Sequence, residues 1–174
     1  NFAENWSFNS NYSRVSDDFY FSDINTAYGE RSDNQLLQTA KLSYRKINWN
    51  SELEVRGFQI LGTGDTPHKV LPKLTFSAYQ PINWKSLQLD WYSEITQFKH
   101  DDSQVYSGTR IHLEPKLSLP LYYNSLFVNT EFKYMLSFYQ QSSLETGKEQ
   151  WYDELEESVS RYIPSLKINA GINF

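Results

Sequence analysis

The chain has 174 residues, of which 39% are apolar and 17% aromatic, and its 16 basic and 21 acidic side chains give a net charge of −5. The acidic balance argues against nucleic acid as a partner, because a nucleic-acid surface needs a basic excess. The absence of cysteine excludes a disulfide framework and a thiolate metal site within the chain, and there is no run of about 18 apolar residues that would predict a transmembrane helix.

Apolar and polar residues alternate with a period of two along most of the chain, which predicts strands with one apolar and one polar face. About eight strands of roughly 8–12 residues are expected, with no long helix. In chain order, the apolar positions are Trp6, Phe8 and Tyr12; Ala40, Leu42 and Tyr44; Leu53 and Val55; Val70, Leu74 and Phe76; Leu87, Leu89, Trp91 and Ile95; Ile111, Leu113, Leu117 and Leu119; Val128, Thr130, Phe132, Tyr134, Leu136 and Phe138; and Tyr162, Leu166, Ile168 and Ala170.

The connections between these strands alternate in length. Two of the short ones resemble each other, at 47–51 (INWNS) and 82–86 (INWKS), so a hairpin unit is expected to repeat about every 35–40 residues. A short helical turn is expected only at Gln150–Ser158. The longer polar connections span 15–35, 61–69, 99–107 and 140–157, and the short ones span 46–50, 80–85 and 120–125.

Two architectures give strands with one polar face. In a soluble sandwich the polar faces meet water and the apolar faces pack together, whereas in an outer-membrane barrel the apolar face meets lipid and the polar face lines a wet lumen. Strand length, the alternation of short turns with long loops and aromatic residues at strand ends favour the barrel. The expected aromatic girdle comprises Trp49, Trp84 and Tyr123 beside short turns and Phe138 near a long loop.

The polar positions of the fifth to eighth strands form a row of mixed charges that is expected to line the lumen. His112 and Glu114 share a face as metal ligands could, and Asp90 with Glu94, or Glu52 with Glu54, could be posed as paired catalytic carboxylates. Because similar charged rows recur on several strands, a solvated wall is the better interpretation, and no catalytic residue, metal or cofactor is expected. The row comprises Asp90, Glu94, Arg110, His112, Glu114, Lys116, Glu131, Lys133 and Arg161.

Proline interrupts three of the predicted strands, at Pro72, Pro115 and Pro164. Proline has no N–H for the hydrogen-bond ladder, so it is usually confined to sheet edges, strand starts or bulges. We expect these three prolines to mark bulges or weakened ladder positions that shape a large, non-circular barrel.

Several segments, in order along nearly the whole chain, carry a resemblance to a known family. The segments are Arg14-Val15-Ser16-Asp17, Tyr20-Phe21-Ser22-Asp23 with Tyr28-Gly29, Thr109-Arg110-Ile111-His112-Leu113-Glu114-Pro115, Tyr139-Gln140-Gln141, and Leu155-Glu156-Glu157-Ser158-Val159-Ser160-Arg161 with Pro164. They resemble the LptD family of lipopolysaccharide-assembly proteins of Gram-negative outer membranes. Their order along the chain makes the resemblance more specific than any one segment would.

The resemblance implies an antiparallel up-and-down transmembrane β-barrel that inserts lipopolysaccharide into the outer leaflet of the outer membrane and is not an enzyme. It also implies an LptE-like lipoprotein plug in the lumen, an LptA-like bridge protein that feeds a periplasmic jelly-roll domain, and folding by the barrel-assembly machinery. No jelly-roll domain is recognisable in residues 1–174. The chain is therefore expected to be an internal wall segment of four hairpin-like units, part of a larger barrel.

Two other interpretations stay open at the level of sequence. The chain could be a complete small outer-membrane barrel with a binding or structural role, or a soluble carbohydrate-binding β-sandwich. Its first residues lack the basic and apolar regions of a signal peptide, so an export signal is expected upstream. A wall segment would have two open edges that invite pairing with other chains, so we expect stability only within a complete barrel or with a partner that supplies strands.

Overall fold

The computed structural model describes residues 4–17, 35–62, 67–82, 86–102, 105–144 and 156–173. In these ranges, all regular structure is β, and no helix is long and apolar enough to cross a bilayer. The all-β, antiparallel up-and-down fold predicted from the alternation is confirmed. The eight strands are β1 (Trp6–Tyr12), β2 (Gln35–Arg45), β3 (Trp49–Ile60), β4 (Lys69–Pro81), β5 (Gln88–Lys99), β6 (Ser107–Tyr123), β7 (Leu126–Ser142) and β8 (Ser158–Ile172).

The strands form one sheet in the order β1-β2-β3-β4-β5-β6-β7-β8, and every pairing is antiparallel between strands consecutive in the chain. Within the described ranges β1 and β8 do not pair with each other, so the sheet is open. The last three strands have 17, 17 and 15 residues, longer than the predicted 8–12. The sequence pattern underestimates the length of these strands. Near the strand ends, aromatic and small polar residues occupy both faces, so apolar and polar positions no longer alternate there.

The predicted helical turn is not seen where it can be checked. Most of Gln150–Ser158 lies outside the described residues, and the described end of that stretch leads directly into β8. The short connection between β6 and β7 is a two-residue turn between the paired residues Tyr123 and Leu126. Its first residue, Asn124, has a φ of 52°, in the left-handed region that asparagine tolerates and that tight hairpins require.

The apolar residues align in continuous rows across the sheet. Side chains alternate between the two faces of a strand. The register of the strands places the apolar residues of each strand beside the apolar residues of the next strand, on the same face of the sheet. One such row runs through seven strands as Phe8, Leu42, Leu53, Leu74, Ile95, Ile111 and Phe138. The opposite face carries the polar residues, for example the row Ser43, Glu52, Thr75, Glu94, His112, Ser137 and Arg161.

Burial on the two faces is the reverse of that in a soluble protein. Buried polar side chains include Glu94, which is 5% exposed, and Thr96, which is 1% exposed, whereas Phe8 is 68% and Leu166 is 65% exposed on the apolar face. Among the described residues, the buried apolar side chains are Leu61, Val70 and Leu144. The sheet therefore shields its polar face and leaves its apolar face uncovered.

A concavity explains this shielding. A hollow of about 800 Å³ is lined by residues from β2 to β8. They include Arg45, Asp90, Lys116 and Lys167, and these four side chains belong to the polar face. Residues on strands so far apart in the sheet can line one hollow only if the sheet curves around that face. The polar face is thus concave and the apolar face is convex.

A bulge interrupts β4 at Leu71 and Pro72. Val70 pairs with Phe98 and Lys73 pairs with Thr96, so two residues of β4 oppose a single residue of β5, and the same shift occurs on the β3 side. The Leu71–Pro72 peptide bond is cis. Because the bulge changes the parity of the strand, Val70 lies on the polar face and is buried. The sequence-based placement of Val70 with the apolar residues of β4 is therefore wrong.

The other two prolines differ from Pro72. At Pro115 the pairing with β5 is continuous, but the β6–β7 pairing has a gap between Leu113 and Lys116 with the same register on both sides. This is a weakened ladder position without a bulge. Pro164 lies opposite Tyr134 in an uninterrupted β7–β8 register, so there is no bulge on the β7 side of β8, and a weakened position on the other side of β8 stays a prediction. A proline leaves the ladder with one neighbouring strand intact when its nitrogen faces away from that strand.

A close aromatic–glycine contact joins β7 and β8 and gives a test of the packing. Gly171 lies opposite Phe127, and a Cβ at Gly171 would lie 2.6 Å from the Phe127 ring. We expect Gly171→Ala to destabilise the fold by about 1–2 kcal/mol, because the ring must leave its position. Equilibrium unfolding in urea of a complete barrel that contains this segment, followed by tryptophan fluorescence, measures the change.

Gly57 supplies the matched control for this prediction. A Cβ at Gly57 would meet only Lys69 Cδ, at 4.0 Å, so Gly57→Ala should be neutral or stabilise the fold by up to about 1 kcal/mol. Equal effects of the two substitutions would contradict the proposed role of the Phe127 contact.

Candidate functional site

The concave polar face collects the charged residues that the sequence singled out. Register places Asp90, Lys116, Lys133 and Ser165 in one row across β5 to β8. A second row contains Glu94, His112, Ser137 and Arg161. Arg110, Glu114 and Glu131 share the parity of these rows, so all nine predicted residues lie on one face of four neighbouring strands. That this face lines a lumen stays a prediction.

Glu94 is the centre of the densest polar contacts on this face. Tyr92 Oη donates to Glu94 Oε2 at 2.8 Å, and Thr96 Oγ1 donates to Glu94 Oε1 at 2.7 Å. Arg110 Nη2 forms a hydrogen-bonded ion pair with Glu94 Oε1, and Lys73 Nζ lies 3.3 Å from Oε2. The buried carboxylate is thus compensated by two cations and two hydroxyl donors, which ties β4, β5 and β6 together.

Asp90, Glu114, Lys116 and Lys133 lie closer to the short turns than Glu94 does, and His112 lies opposite Glu94. Lys116 Nζ lies 2.8 Å from Asp90 Oδ2, and Lys133 Nζ lies 3.2 Å from Glu114 Oε1. His112 Nδ1 makes a 2.7 Å hydrogen bond with Ser137 Oγ, and its Nε2 lies 3.7 Å from Glu114. Apart from the contact of His112 with Glu114, which lies within β6, these contacts run between neighbouring strands, as cross-strand pairs do in antiparallel sheets.

The row predicted to line the lumen left out part of this face, although alternation places Lys41, Ser43, Glu52 and Glu54 on polar positions. On β2 and β3, Lys41 Nζ lies 3.5 Å from both Glu52 and Glu54, and Ser43 Oγ donates to Glu52 at 3.0 Å. The Glu52–Glu54 alternation was a usable signal for these residues. Lys73 had no such signal, because its position beside Glu94 depends on the register of β4 with β5.

The three histidines do not form a metal centre. His68 and His100 lie beside loops with ring centroids 5.1 Å apart, and His68 Nε2 is 2.8 Å from the Tyr106 carbonyl oxygen. His112 lies on the concave face with other partners. Across the described ranges, no group of three or more histidine, aspartate or glutamate side chains could hold a metal ion.

The aromatic residues predicted to form a girdle have different surroundings. Trp49 belongs to a row of rings in which Tyr44 contacts Trp6 at 4.8 Å and Trp49 at 5.1 Å, and Trp49 contacts Phe76 at 5.7 Å. This row lies at the short-turn end of β1 to β4. The other girdle residues are Tyr123, which is exposed beside its turn, Phe138, whose ring packs 5.9 Å from that of Tyr162, and Trp84, which lies outside the described residues.

The concave face can bind polar and charged groups, and its contacts favour binding over catalysis. Its carboxylates are held by lysine, arginine and hydroxyl groups in extended cross-strand pairs. The hollow is wide and open to solvent, and basic and acidic side chains intermix along its wall. Such a surface is suited to contact with polar or charged groups.

Comparison with known proteins gives the family. The family model for LptD, described as LPS transport system D, matches residues 1–174. The LPS-assembly protein LptD of Vibrio cholerae serotype O1 is 39% identical over 178 residues, that of Aliivibrio fischeri is 36% identical over 172 residues, and that of Shewanella sp. (strain MR-4) is 34% identical over 171 residues.

Each of these three matches covers 98% of this chain and 22% of the relative. The chain thus spans about a fifth of the length of the curated relatives it matches. The resemblance seen in scattered sequence segments is confirmed, since the family model extends over every strand and connection. By this match, and with an up-and-down sheet of the kind the resemblance implied, the chain belongs to the LptD family.

Proposed function

We propose that this chain forms part of the wall of an outer-membrane β-barrel in a protein that delivers lipopolysaccharide to the outer leaflet. The observation that carries the proposal is the reversed burial, with Glu94 and Thr96 shielded on a concave face and large apolar side chains exposed on the convex face. A bilayer is the solvent for which such a convex face is suited. The family match supplies lipopolysaccharide as the substrate, because the relatives are named LPS-assembly proteins.

Strand length supports the same proposal. A tilted strand needs about 9–11 residues to cross the hydrocarbon core, and β2 to β8 each contain 11 or more. The additional residues of β6 and β7 extend the wall beyond the hydrocarbon region. A soluble sandwich is less well supported, because it would cover the apolar face with a second sheet, whereas the eight strands lie in a single layer.

The two faces of the sheet and the family membership support a set of proposed partners. The concave face would contact an LptE-like lipoprotein plug and the saccharide part of lipopolysaccharide, and the convex face would contact outer-membrane lipid. An LptA-like bridge would act through a domain outside this segment, and the barrel-assembly machinery would supply strands to the open edges during folding. The role proposed for the segment is transport, without a catalytic group.

A chimera tests the proposal. Residues 1–174 replace the matching segment of full-length LptD from Vibrio cholerae, and the chimera is expressed in Vibrio cholerae cells depleted of their own protein. We expect the chimera to reach the outer membrane as a heat-modifiable barrel and to restore surface lipopolysaccharide, because each strand presents its apolar side outward and its charged side inward.

The two readouts of the chimera separate two failures. A soluble product that folds without detergent would contradict the membrane-wall proposal. A chimera that inserts into the outer membrane but leaves lipopolysaccharide inside the cell would contradict a role of this segment in transport.

A further inference from the structure

Three lysines on neighbouring strands lie close together on the concave face. Lys116 on β6 lies directly opposite Lys133 on β7, and Lys167 on β8 lies opposite Glu131, two residues from Lys133 along β7. Side chains directly opposite each other have Cβ atoms about 4.5–5.5 Å apart, and diagonal neighbours are about 7–8 Å apart. We call Lys116, Lys133 and Lys167 the lysine triad.

The hollow that contains the triad carries an excess of positive charge. Five basic side chains line it against three acidic ones, an excess of two positive charges in a chain whose net charge is −5. Glu94 and its two cationic partners, Arg110 and Lys73, do not line this hollow. The basic residues of the hollow are Arg45, Lys46 and the lysine triad, and the acidic residues are Asp90, Glu114 and Glu131.

The existing ion pairs leave the triad incompletely neutralised. Lys116 and Lys133 each have one acidic partner, Asp90 and Glu114. Within the described ranges Lys167 makes no ion pair, although Glu131 lies opposite it in register. Like charges directly opposite each other on paired strands destabilise a sheet. An anion seated between the strands would offset that cost, which points to a ligand that carries concentrated negative charge.

We propose that the lysine triad binds the phosphate groups of a phosphorylated saccharide as it passes along the concave face. This inference rests on the proposed function and names the chemistry by which the wall would contact its substrate. Lysine ammonium groups are suited to phosphate as point charges with three donors each. Ser165, opposite Lys133, adds a hydroxyl to the same hollow, and the rings of Tyr79 and Tyr92 line it as apolar surfaces for a sugar.

The test uses the chimera described above, purified in lipid nanodiscs, with all three triad lysines replaced by glutamine (K116Q, K133Q and K167Q). The probes are lipid-free core oligosaccharide that carries phosphate and the same oligosaccharide after enzymatic dephosphorylation. We expect the variant to bind the phosphorylated probe about tenfold more weakly, because exposed ion pairs contribute roughly a factor of two to three each. Binding of the dephosphorylated probe should not change, and the difference should shrink as ionic strength rises.

Lys41→Gln is the matched control. Lys41 lies on the same concave face and is also ion-paired, with Glu52 and Glu54, but it does not line the hollow. We expect this variant to bind both probes as the unmodified chimera does. If the triple variant fails to fold, as judged by heat-modifiable mobility, K167Q alone is measured, with an expected loss of about two- to threefold.

Several outcomes would overturn the proposal without touching the transport role. One is that the triple variant and the unmodified chimera bind the phosphorylated probe equally well. Another is that the triple variant loses affinity for both probes to the same extent. The third is that the unmodified chimera binds neither probe. Loss of the plug lipoprotein with unchanged probe binding would instead identify the triad as a docking surface for an acidic protein segment. Restoration of surface lipopolysaccharide by the unmodified chimera is measured separately, so failure of the phosphate site and failure of the proposed function are distinguishable.

Discussion

Leu113→Arg is expected to destabilise the protein in lipid by about 2–4 kcal/mol, the cost of a basic side chain on the lipid face near the bilayer midplane. Leu113 lies near the middle of β6 on the convex face, between Ser93 of β5 and Leu136 of β7. A guanidinium at this position has no neighbouring carboxylate and no aqueous lumen. Urea titration of the full-length chimera, folded into lipid vesicles, measures the change in the free energy of unfolding.

Lys116→Leu is the control for Leu113→Arg, since the two positions are three residues apart on opposite faces of the same strand. Lys116 loses its ion pair with Asp90, which in a solvated hollow contributes up to about 1 kcal/mol. The inner-face variant should therefore insert and fold nearly normally. If Leu113→Arg proved as harmless as Lys116→Leu, the assignment of the two faces would be wrong.

Glu94→Gln is expected to destabilise the folded barrel by about 2–3 kcal/mol, because removal of one partner leaves neighbouring charges uncompensated on a shielded face. Glu94 is buried. Its carboxylate accepts hydrogen bonds from Tyr92, Thr96 and Arg110 and forms an ion pair with Lys73. The expected destabilisation is smaller than for a fully buried ion pair, because Arg110 and Lys73 keep partial access to water. Urea titration in the same vesicles measures it.

Glu52→Gln separates the contact network from a general effect of charge. Glu52 is on the same face and 3.5 Å from Lys41, but about a third of its side chain is exposed, so its loss should cost less than about 1 kcal/mol. A second measurement is the double variant Glu94→Gln with Arg110→Gln, which removes both members of the central pair. Its destabilisation should be smaller than the sum of the two single effects. Equal effects of Glu52→Gln and Glu94→Gln would show that the network around Glu94 has no special role.

The strands and faces could be predicted from the sequence because each depends on local alternation. Leu42, Leu53 and Ile95 were assigned to the apolar face from their own strands, and the structure aligns them in one row. The charged residues of β5 to β8 followed from the same alternation. For these residues, the odd or even position along one strand is enough to assign the side chain to a face of the sheet.

The contacts could not be predicted, because they depend on register between strands. The ion pair of Lys73 with Glu94 requires the register that places Lys73 opposite Thr96, and alternation carries no record of how far one strand slides past the next. The bulge reversed the assignment of Val70. Pro164 leaves the β7–β8 register uninterrupted, which alternation within β8 could not reveal.

The order of the strands has a consequence for how fast the sheet can form. Since each strand pairs only with the strands before and after it in the chain, every native contact between strands lies within a single hairpin. Low sequence separation of contacts speeds folding, and sheets built from distant segments are slow to form. The sheet can therefore grow one strand at a time from any hairpin already formed. Only the joining of β1 and β8 to further strands requires a segment from outside the described meander.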